Sequence, residues 1–389
     1  MTSSGRALVS GGSIAGLSAA YWLARTGWDV TVLERSPAFR TGGQNVDVRG
    51  AAREVLDRMG LTDDVRAANT TETGTVIVDE HGATVVRLPD DDSGEGATAE
   101  LEVLRGDLAE VIRNALPDSV RFRFGDAIVA VDEDGSDGRP VTVRTRSGAT
   151  VQAELLVVAE GVRSDTRDLL FTVERRRLGI TMEFGTIPRI PSDDDTWRWY
   201  NAVGGRQVHL RPDAHGTTRA MLAYTNDDGV VPDRRDRYAG AGWQTERVLD
   251  GFEHSEDVYV DDLTQIVAPT WHRGSVVLLG DAAWCVTPMG GGGSSLALTG
   301  GYVLAASLAA QDADRAFAAY EEWMRPLVDR IQTMPPGIKR FAYPQTRAGL
   351  AAQRVAHHVL TSRPVAPLMA RLTHTADADQ PLPALDVTR

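Results

Sequence analysis

The chain has 389 residues, 42% hydrophobic and 24% charged, the balance of a globular, core-forming protein with room for two or three domains. Asp and Glu number 54 against 41 Lys and Arg, a formal net charge of −13; this speaks against nucleic acid and anionic membrane surfaces, which both call for cationic faces. A single cysteine, Cys285, excludes an internal disulfide, a Cys-x-x-Cys redox pair and a four-cysteine metal site.

The first element expected is a strand over residues 6–10, followed by glycines and a helix over 14–24 with Leu17, Ala20, Tyr21 and Ala24 on one face. Gly27 stops that helix, and a second strand ends at Glu34. The unit has the size of a parallel strand–helix–strand crossover. A helix over 50–59 closed by Gly60, strands at 75–78 and 84–88, an acidic loop at 90–96 and a strand over 99–104 follow. Residues 105–116 read as a helix, and 120–124, 128–131 and 141–145 as a small antiparallel meander with a glycine turn at 134–138. The apolar run 155–159 reads as a strand buried on both faces. Residues 171–270 change character, with strand alternation near 180–187, 197–203, 207–210 and 218–224 and one or two helices within 234–254. A second buried strand at 275–279 and helices at 294–310 and 313–330 precede a proline-punctuated helical end with a frayed tail after 377. No apolar run reaches the roughly 18 residues of a membrane span. The first six residues are short and polar for a leader, so a cytoplasmic setting is expected.

Residues 11–16 are Gly-Gly-Ser-Ile-Ala-Gly. Against G-x-G-x-x-G, Gly11 and Gly16 match and Ser13 replaces the middle glycine. Gly11 permits the tight turn, the small Ser13 lets backbone approach a pyrophosphate, and Gly16 lets the helix pack on the strand. The helix start, with Ile14 and Ala15, supplies free N–H groups and a positive dipole end. Glu34 closes the second strand, where a carboxylate accepts hydrogen bonds from ribose hydroxyls. Together these parts point to a nucleotide.

Farther on, Leu278-Leu279-Gly280-Asp281-Ala282-Ala283 is followed by Pro288 and by Gly290-Gly291-Gly292-Gly293-Ser294-Ser295 at a helix start. This resembles the Gly-Asp motif of the class A FAD-dependent aromatic hydroxylases, the group of para-hydroxybenzoate hydroxylase and the tetracycline-inactivating monooxygenases. Segment 160–167, Glu-Gly-Val-Arg-Ser-Asp-Thr-Arg, resembles their Asp-Gly-x-x-Ser-x-x-Arg, with Gly161, Ser164 and Arg167 in register and Glu160 in place of the aspartate. Glu34-Arg35, Arg105, and Gly42-Gly43 with Asp47 resemble further family positions at the adenosine and beside the flavin. Trp284 and Ser295 stand where the family has His and Asn. The resemblance spans roughly residues 5–330.

The resemblance implies an α/β fold: a Rossmann-like FAD-binding domain from residues 1–70, 98–170 and 271–332, an inserted sheet-rich substrate domain from 71–97 and 171–270, and C-terminal helices over 333–389. It implies FAD held by Gly11, Ser13, Ile14, Ala15, Gly16, Glu34, Arg35, Asp47, Arg105, Gly161, Asp281, Pro288, Gly291, Gly292, Gly293, Ser294 and Ser295. NADPH or NADH would be the reductant, and a flavin C4a-hydroperoxide would hydroxylate an aromatic or polyketide-like molecule with O2. No protein nucleophile or metal is needed. Trp197, Trp199, Tyr200, His209, Arg211, Met221 and Tyr224, with Pro288, are the substrate-contact candidates. Cys285 reads as a buried apolar residue and His357-His358 as surface or packing. Epoxidation and Baeyer–Villiger oxidation stay open within the same fold, as does a non-catalytic FAD-binding protein. A nicotinamide dehydrogenase leaves Gly280-Asp281 unexplained, and a flavin halogenase lacks its early lysine, because the one lysine is Lys339.

Overall fold

The computed structural model describes residues 5–40, 42–88, 101–136, 139–227, 229–230, 233–360 and 381–385. The acidic loop expected at 90–96, the end of the glycine turn at 137–138 and most of the tail after 377 lie outside them. The architecture is mixed α/β, built on two large sheets.

The first sheet has six strands, in the order His272–Arg273, Val276–Leu278, Leu155–Val158, Arg6–Ser10, Asp29–Glu34, Arg121–Phe124. Leu155–Val158 lies parallel between Arg6–Ser10 and Val276–Leu278. All its residues are buried, because helices cover both faces of a parallel sheet. Arg121–Phe124 departs from expectation. It runs parallel to Asp29–Glu34 at the sheet edge, while the antiparallel meander consists of Ile128–Glu133, Val141–Thr145 and an unforeseen strand, Thr150–Ala153. The alternation Arg-Phe-Arg-Phe announces a strand but carries no information about which sheet it joins. Also unforeseen are Asn45–Asp47, Thr62–Ala67 and Asp165–Leu170, each too short to develop a period.

Helix Ile14–Arg25 is buried from Ile14 through Leu23, so its expected single apolar face is too narrow. Helix Gly293–Ala310 lies directly on it. A Cβ at Gly301 would stand 2.5 Å from Ser18 Oγ, and Ser18 Oγ donates to the Leu298 carbonyl at 2.8 Å. That close crossing places the starts of the two helices relative to each other. Contrary to the expectation about apolar runs, Gly293–Ala310 has the length and mean hydropathy, 1.3, of a membrane span, and 72% of it is buried inside the protein. Its Gly, Ala, Ser and Thr content hides the run from a count of large apolar residues and suits tight helix packing.

The second sheet has seven strands, in the order Tyr259–Val267, Glu174–Ile187, Thr218–Thr225, Arg206–Pro212, Trp197–Ala202, Thr75–Val78, Thr84–Arg87. One face packs on helices Arg234–Tyr238 and Thr245–His254 through Val208, Leu222, Tyr238, Val248 and Phe252. The other face turns toward the first sheet's loops. Near the C-terminus, residues 381–385 lie against the long helices: Tyr302 OH donates to the Pro383 carbonyl at 2.7 Å, and Trp323 Nε1 to that of Pro381 at 3.3 Å.

Candidate active site

Three chain segments meet at the carboxyl ends of the parallel strands. At the first turn Gly11 has φ 109°, and a Cβ there would stand 2.3 Å from the Ala159 carbonyl oxygen. A Cβ on Gly16 would come within 1.9 Å of the Gly11 oxygen. Helix Ile14–Arg25 has no side-chain cap from Ser13 and no acidic residue in its first turn, which leaves its positive end open to an anion. Arg105 Nη1 donates to Ser13 Oγ at 3.0 Å and brings a cation to the same turn. Glu34 accepts from Gly12 N and Ser36 N at 2.8 Å each, which orients its carboxylate at the end of the second strand. Arg35 beside it is exposed.

The Gly280–Asp281 corner abuts this turn: a Cβ at Gly280 would stand 2.7 Å from the Ala15 Cβ. Asp281 is solvent-accessible, yet surrounding protein raises its carboxyl to about 6 by desolvation and by the Asp261 charge, against the pull of Arg105. An accessible carboxylate so hemmed in lies at the bottom of a cleft. Beyond it, Gly291 has φ 67° with nothing within 4 Å of a Cβ position, and Gly292 caps Gly293–Ala310 in the left-handed conformation with no acidic residue following. Thr287, before the exposed Pro288, holds φ 64°, a strained value for a β-branched residue. Ser294 is half-buried at the helix start.

Two departures from the family pattern turn inward. Trp284 packs on Trp271, ring centroids 4.5 Å apart, away from the cleft. Ser295 Oγ accepts from Arg49 N and donates to the Asp47 carbonyl, both at 3.0 Å, so it ties the Asp47 loop to the helix start. Glu160 is fully engaged as well. It accepts from Ser10 Oγ (2.5 Å), Ser164 Oγ (2.6 Å), Thr166 Oγ1 (2.6 Å) and Thr166 N (3.1 Å). Its longer side chain thus fastens Gly161's turn to the first strand. Arg167, fully buried, bonds the carbonyls of Val162 and Ala282. Cys285 is buried, with its thiol pushed up by desolvation.

A cavity lies between loop 43–45 and the second sheet; Phe184, Trp197, His209, Arg211, Met221 and Tyr259 are in its wall, with Arg219 and Asp257 at one end. The sheet register explains the set. Trp199 pairs with His209, His209 with Met221, Met221 with Phe184, and Phe184 with Tyr259, one row on one face. Tyr200 and Tyr224 are corrected here. They sit in the core on the opposite face, Tyr200 accepting from Gly242 N at 3.2 Å, because a strand turns neighbouring side chains to opposite sides. Trp199 shares this face, its ring 4.6 Å from that of His209, but lies beside the cavity and not in its wall. Gln44, Asn45, Phe184, Arg219, Asp257 and Tyr259 were not anticipated. Counting by twos from His209 and Met221 and reading across the register reaches Phe184 and Tyr259, but the register is not in the sequence.

Beneath the cavity Arg211 Nε donates to Glu72 Oε2 at 2.9 Å and Arg211 Nη2 to Glu102 Oε1 at 2.6 Å. Its guanidinium lies 4.0 Å over the Trp197 ring. Burial pushes the Glu72 carboxyl up despite Arg211. Burial likewise raises Asp47, beside Arg49. Arg211→Met should destabilise the protein by about 3–5 kcal/mol, since it strands two buried carboxylates. Burial already pushes the Glu72 carboxyl up, and without the arginine's opposing pull it holds its proton more tightly still, so the loss, read as a fall in Tm, should shrink as pH is lowered.

Over residues 5–331 the chain matches the FAD binding domain family. The chain belongs to that family. It is 33% identical over 383 residues to the flavin-dependent monooxygenase eupH of a Phoma species, with 89% of each chain covered. It is similar to the crystal structure of the tetracycline destructase Tet(55), with a TM-score of 0.79, 25% identity, and 96% of this chain and 98% of that one covered. The Klebsiella pneumoniae HpxO complex with FAD and uric acid shares the fold, with a TM-score of 0.76, 21% identity, and 95% and 97% covered. This member of the FAD binding domain family is an oxidoreductase of the flavin-dependent monooxygenase kind.

The cleft fits FAD on its own geometry. It combines two uncapped helix starts, a cation, an accessible carboxylate and glycines whose Cβ positions either strike backbone or face open space.

Proposed function

We propose that this chain binds FAD along the cleft from Glu34 to Gly293, takes reducing equivalents from NADPH or NADH, and inserts one atom of O2 into an aromatic or polyketide-like small molecule. The observation that carries this reading is the join between cleft and cavity: loop 43–45, in the cavity wall, packs on Arg105, whose Nε would be 2.9 Å from a Cβ at Gly43, and Arg105 reaches Ser13 at the first turn.

Glu34 would accept the adenosine ribose hydroxyls. The helix start at Ser13–Gly16 and Arg105 would neutralise the pyrophosphate. Asp281 would accept the ribityl hydroxyls, and the positive end of Gly293–Ala310 would stabilise negative charge on the reduced ring. Bound FAD supplies electron transfer and the activation of O2. The rest belongs to the chain: Phe184, Tyr259 and Trp197 offer flat apolar surface for a ring substrate and exclude water. The tetracycline destructase neighbour makes tetracycline the first substrate to try.

The test is reconstitution of the protein with FAD, then NADPH or NADH oxidation in air with and without tetracycline. The expected result is a yellow protein, oxygen-dependent nicotinamide consumption and a product heavier by one oxygen atom for an accepted substrate. A protein that cannot be loaded with FAD, or that leaves both nicotinamides unoxidised, overturns the reading.

A further inference from the structure

We propose that His209 is a fixed hydrogen-bond donor that selects substrates carrying an acceptor oxygen, and that Trp197 is the positioning residue that sets its tautomer. This rests on reading the cavity as the substrate site.

Trp197 Nε1 lies 3.2 Å from His209 Nδ1. An indole N–H only donates, so Nδ1 is the acceptor and the ring proton resides on Nε2. Desolvation and the neighbouring Arg211 hold His209 well below its usual titration range, so the ring stays neutral. It is therefore no general base: one nitrogen is occupied and the other carries the proton.

Among the described residues Nε2–H has no partner, although His209 is only 4% exposed. A buried donor without an acceptor leaves its desolvation uncompensated, and a ligand oxygen that accepts from it restores the missing bond. The two arginines of the wall are held in ion pairs. Arg211 bonds Glu72 and Glu102, and Arg219 bonds Asp257 at 2.8 Å with its Nε 3.3 Å from Asp213. Asn45 Oδ1 is also unpartnered, and its orientation is set by Nδ2 donating to Glu102 Oε1 at 2.7 Å. Among the uncharged side chains of the wall, His209 supplies an oriented donor and Asn45 an oriented acceptor. A ligand that satisfies both is a ring compound with a carbonyl oxygen for His209 and a hydroxyl for Asn45: a hydroxylated aromatic ketone. Met221, paired with His209 across the sheet and in the same cavity wall, is unbranched and can adapt to such a ligand.

The probes are methyl naphthyl ketone and its near-isostere isopropylnaphthalene, titrated into the FAD-loaded protein with the flavin absorption spectrum as readout. The wild type should bind the ketone about tenfold more tightly, the factor of one hydrogen bond to a buried donor. His209→Leu should bring the two to within about twofold by weakening the ketone alone, and His209→Gln, which keeps an N–H, should retain part of the preference. In Trp197→Phe, nitrogen NMR of the His209 ring should show the Nδ1–H form appearing while the ketone preference falls. Equal binding of the two probes by the wild type, or an unchanged preference in His209→Leu, overturns the proposal. If neither probe perturbs the flavin of a loaded protein, it is the reading of the cavity that falls, and the proposal with it.

Discussion

Asp281→Ala is expected to lower FAD affinity about 100-fold or more while the apoprotein stays folded. Hydrogen bonds to a charged group contribute about 1.5–3 kcal/mol each, and two ribityl hydroxyls on one carboxylate reach that factor. The fold does not need this carboxylate. Asp281 is exposed, and desolvation lifts its carboxyl from 3.8 to about 6, so the folded apoprotein holds its proton more tightly than the unfolded chain does. The sign follows from linkage: its contribution to apoprotein stability is greatest below 3.8 and is lost as pH rises through about 6. Asp281→Asn should therefore raise the Tm of the apoprotein at neutral pH while weakening FAD. Hydroxyl donors favour the ionised form, so binding of FAD should expel the proton. Affinity should climb as pH rises toward about 6 and level off above, in the wild type and not in Asp281→Asn. Isothermal titration across that range, with Tm of the apoproteins, checks all three expectations. An Asp281→Ala protein with wild-type flavin content would remove the basis of the proposed site.

Gly16→Ala is the second large effect, and its origin is steric. The added methyl would lie 1.9 Å from the Gly11 carbonyl oxygen, and the backbone on both sides is pinned. Gly11 N donates to the Leu33 carbonyl at 2.8 Å and Ala159 N to that of Ser10 at 2.8 Å. Helix Ile14–Arg25 must move off the strand, and it carries Gly301's contact with Ser18 along. A cost of about 3 kcal/mol or more is expected, together with loss of FAD at the displaced helix start. Chemical denaturation of the apoprotein and flavin content after reconstitution read the two consequences separately. Gly60→Ala is the control: nothing lies within 4 Å of its Cβ position, so only the left-handed φ of 74° is penalised, at about 1 kcal/mol.

How much of this was legible beforehand varies with the length scale of the feature. The first strand, helix and second strand came out within a residue or two of Arg6–Ser10, Ile14–Arg25 and Asp29–Glu34, because each is long enough to show its period and is bounded by glycine. Asn45–Asp47 and Asp165–Leu170 are too short for that. The alternation of Arg121–Phe124 shows a strand but not that it pairs with Asp29–Glu34, since pairing partners are chosen by packing over long chain distances. The same gap explains the substrate candidates. Trp197, His209, Arg211 and Met221 are in the cavity wall, while Tyr200 and Tyr224 are in the core behind it. Composition marked all of these as apposite, and only the inward phase of each strand separates them.

By itself the sequence determined the strand–turn–helix chemistry at residues 6–34, the second glycine-led helix at 293, and thereby the family, because tight turns and helix starts are written in local residue types. The tertiary structure alone decided that Ala15 meets Gly280, that Glu160 spends its carboxylate on Ser10, Ser164 and Thr166, and that Trp197 hands an N–H to His209. The physical reason is that these are contacts between segments far apart along the chain. Their partners are selected by sheet register and helix packing, which no local pattern encodes.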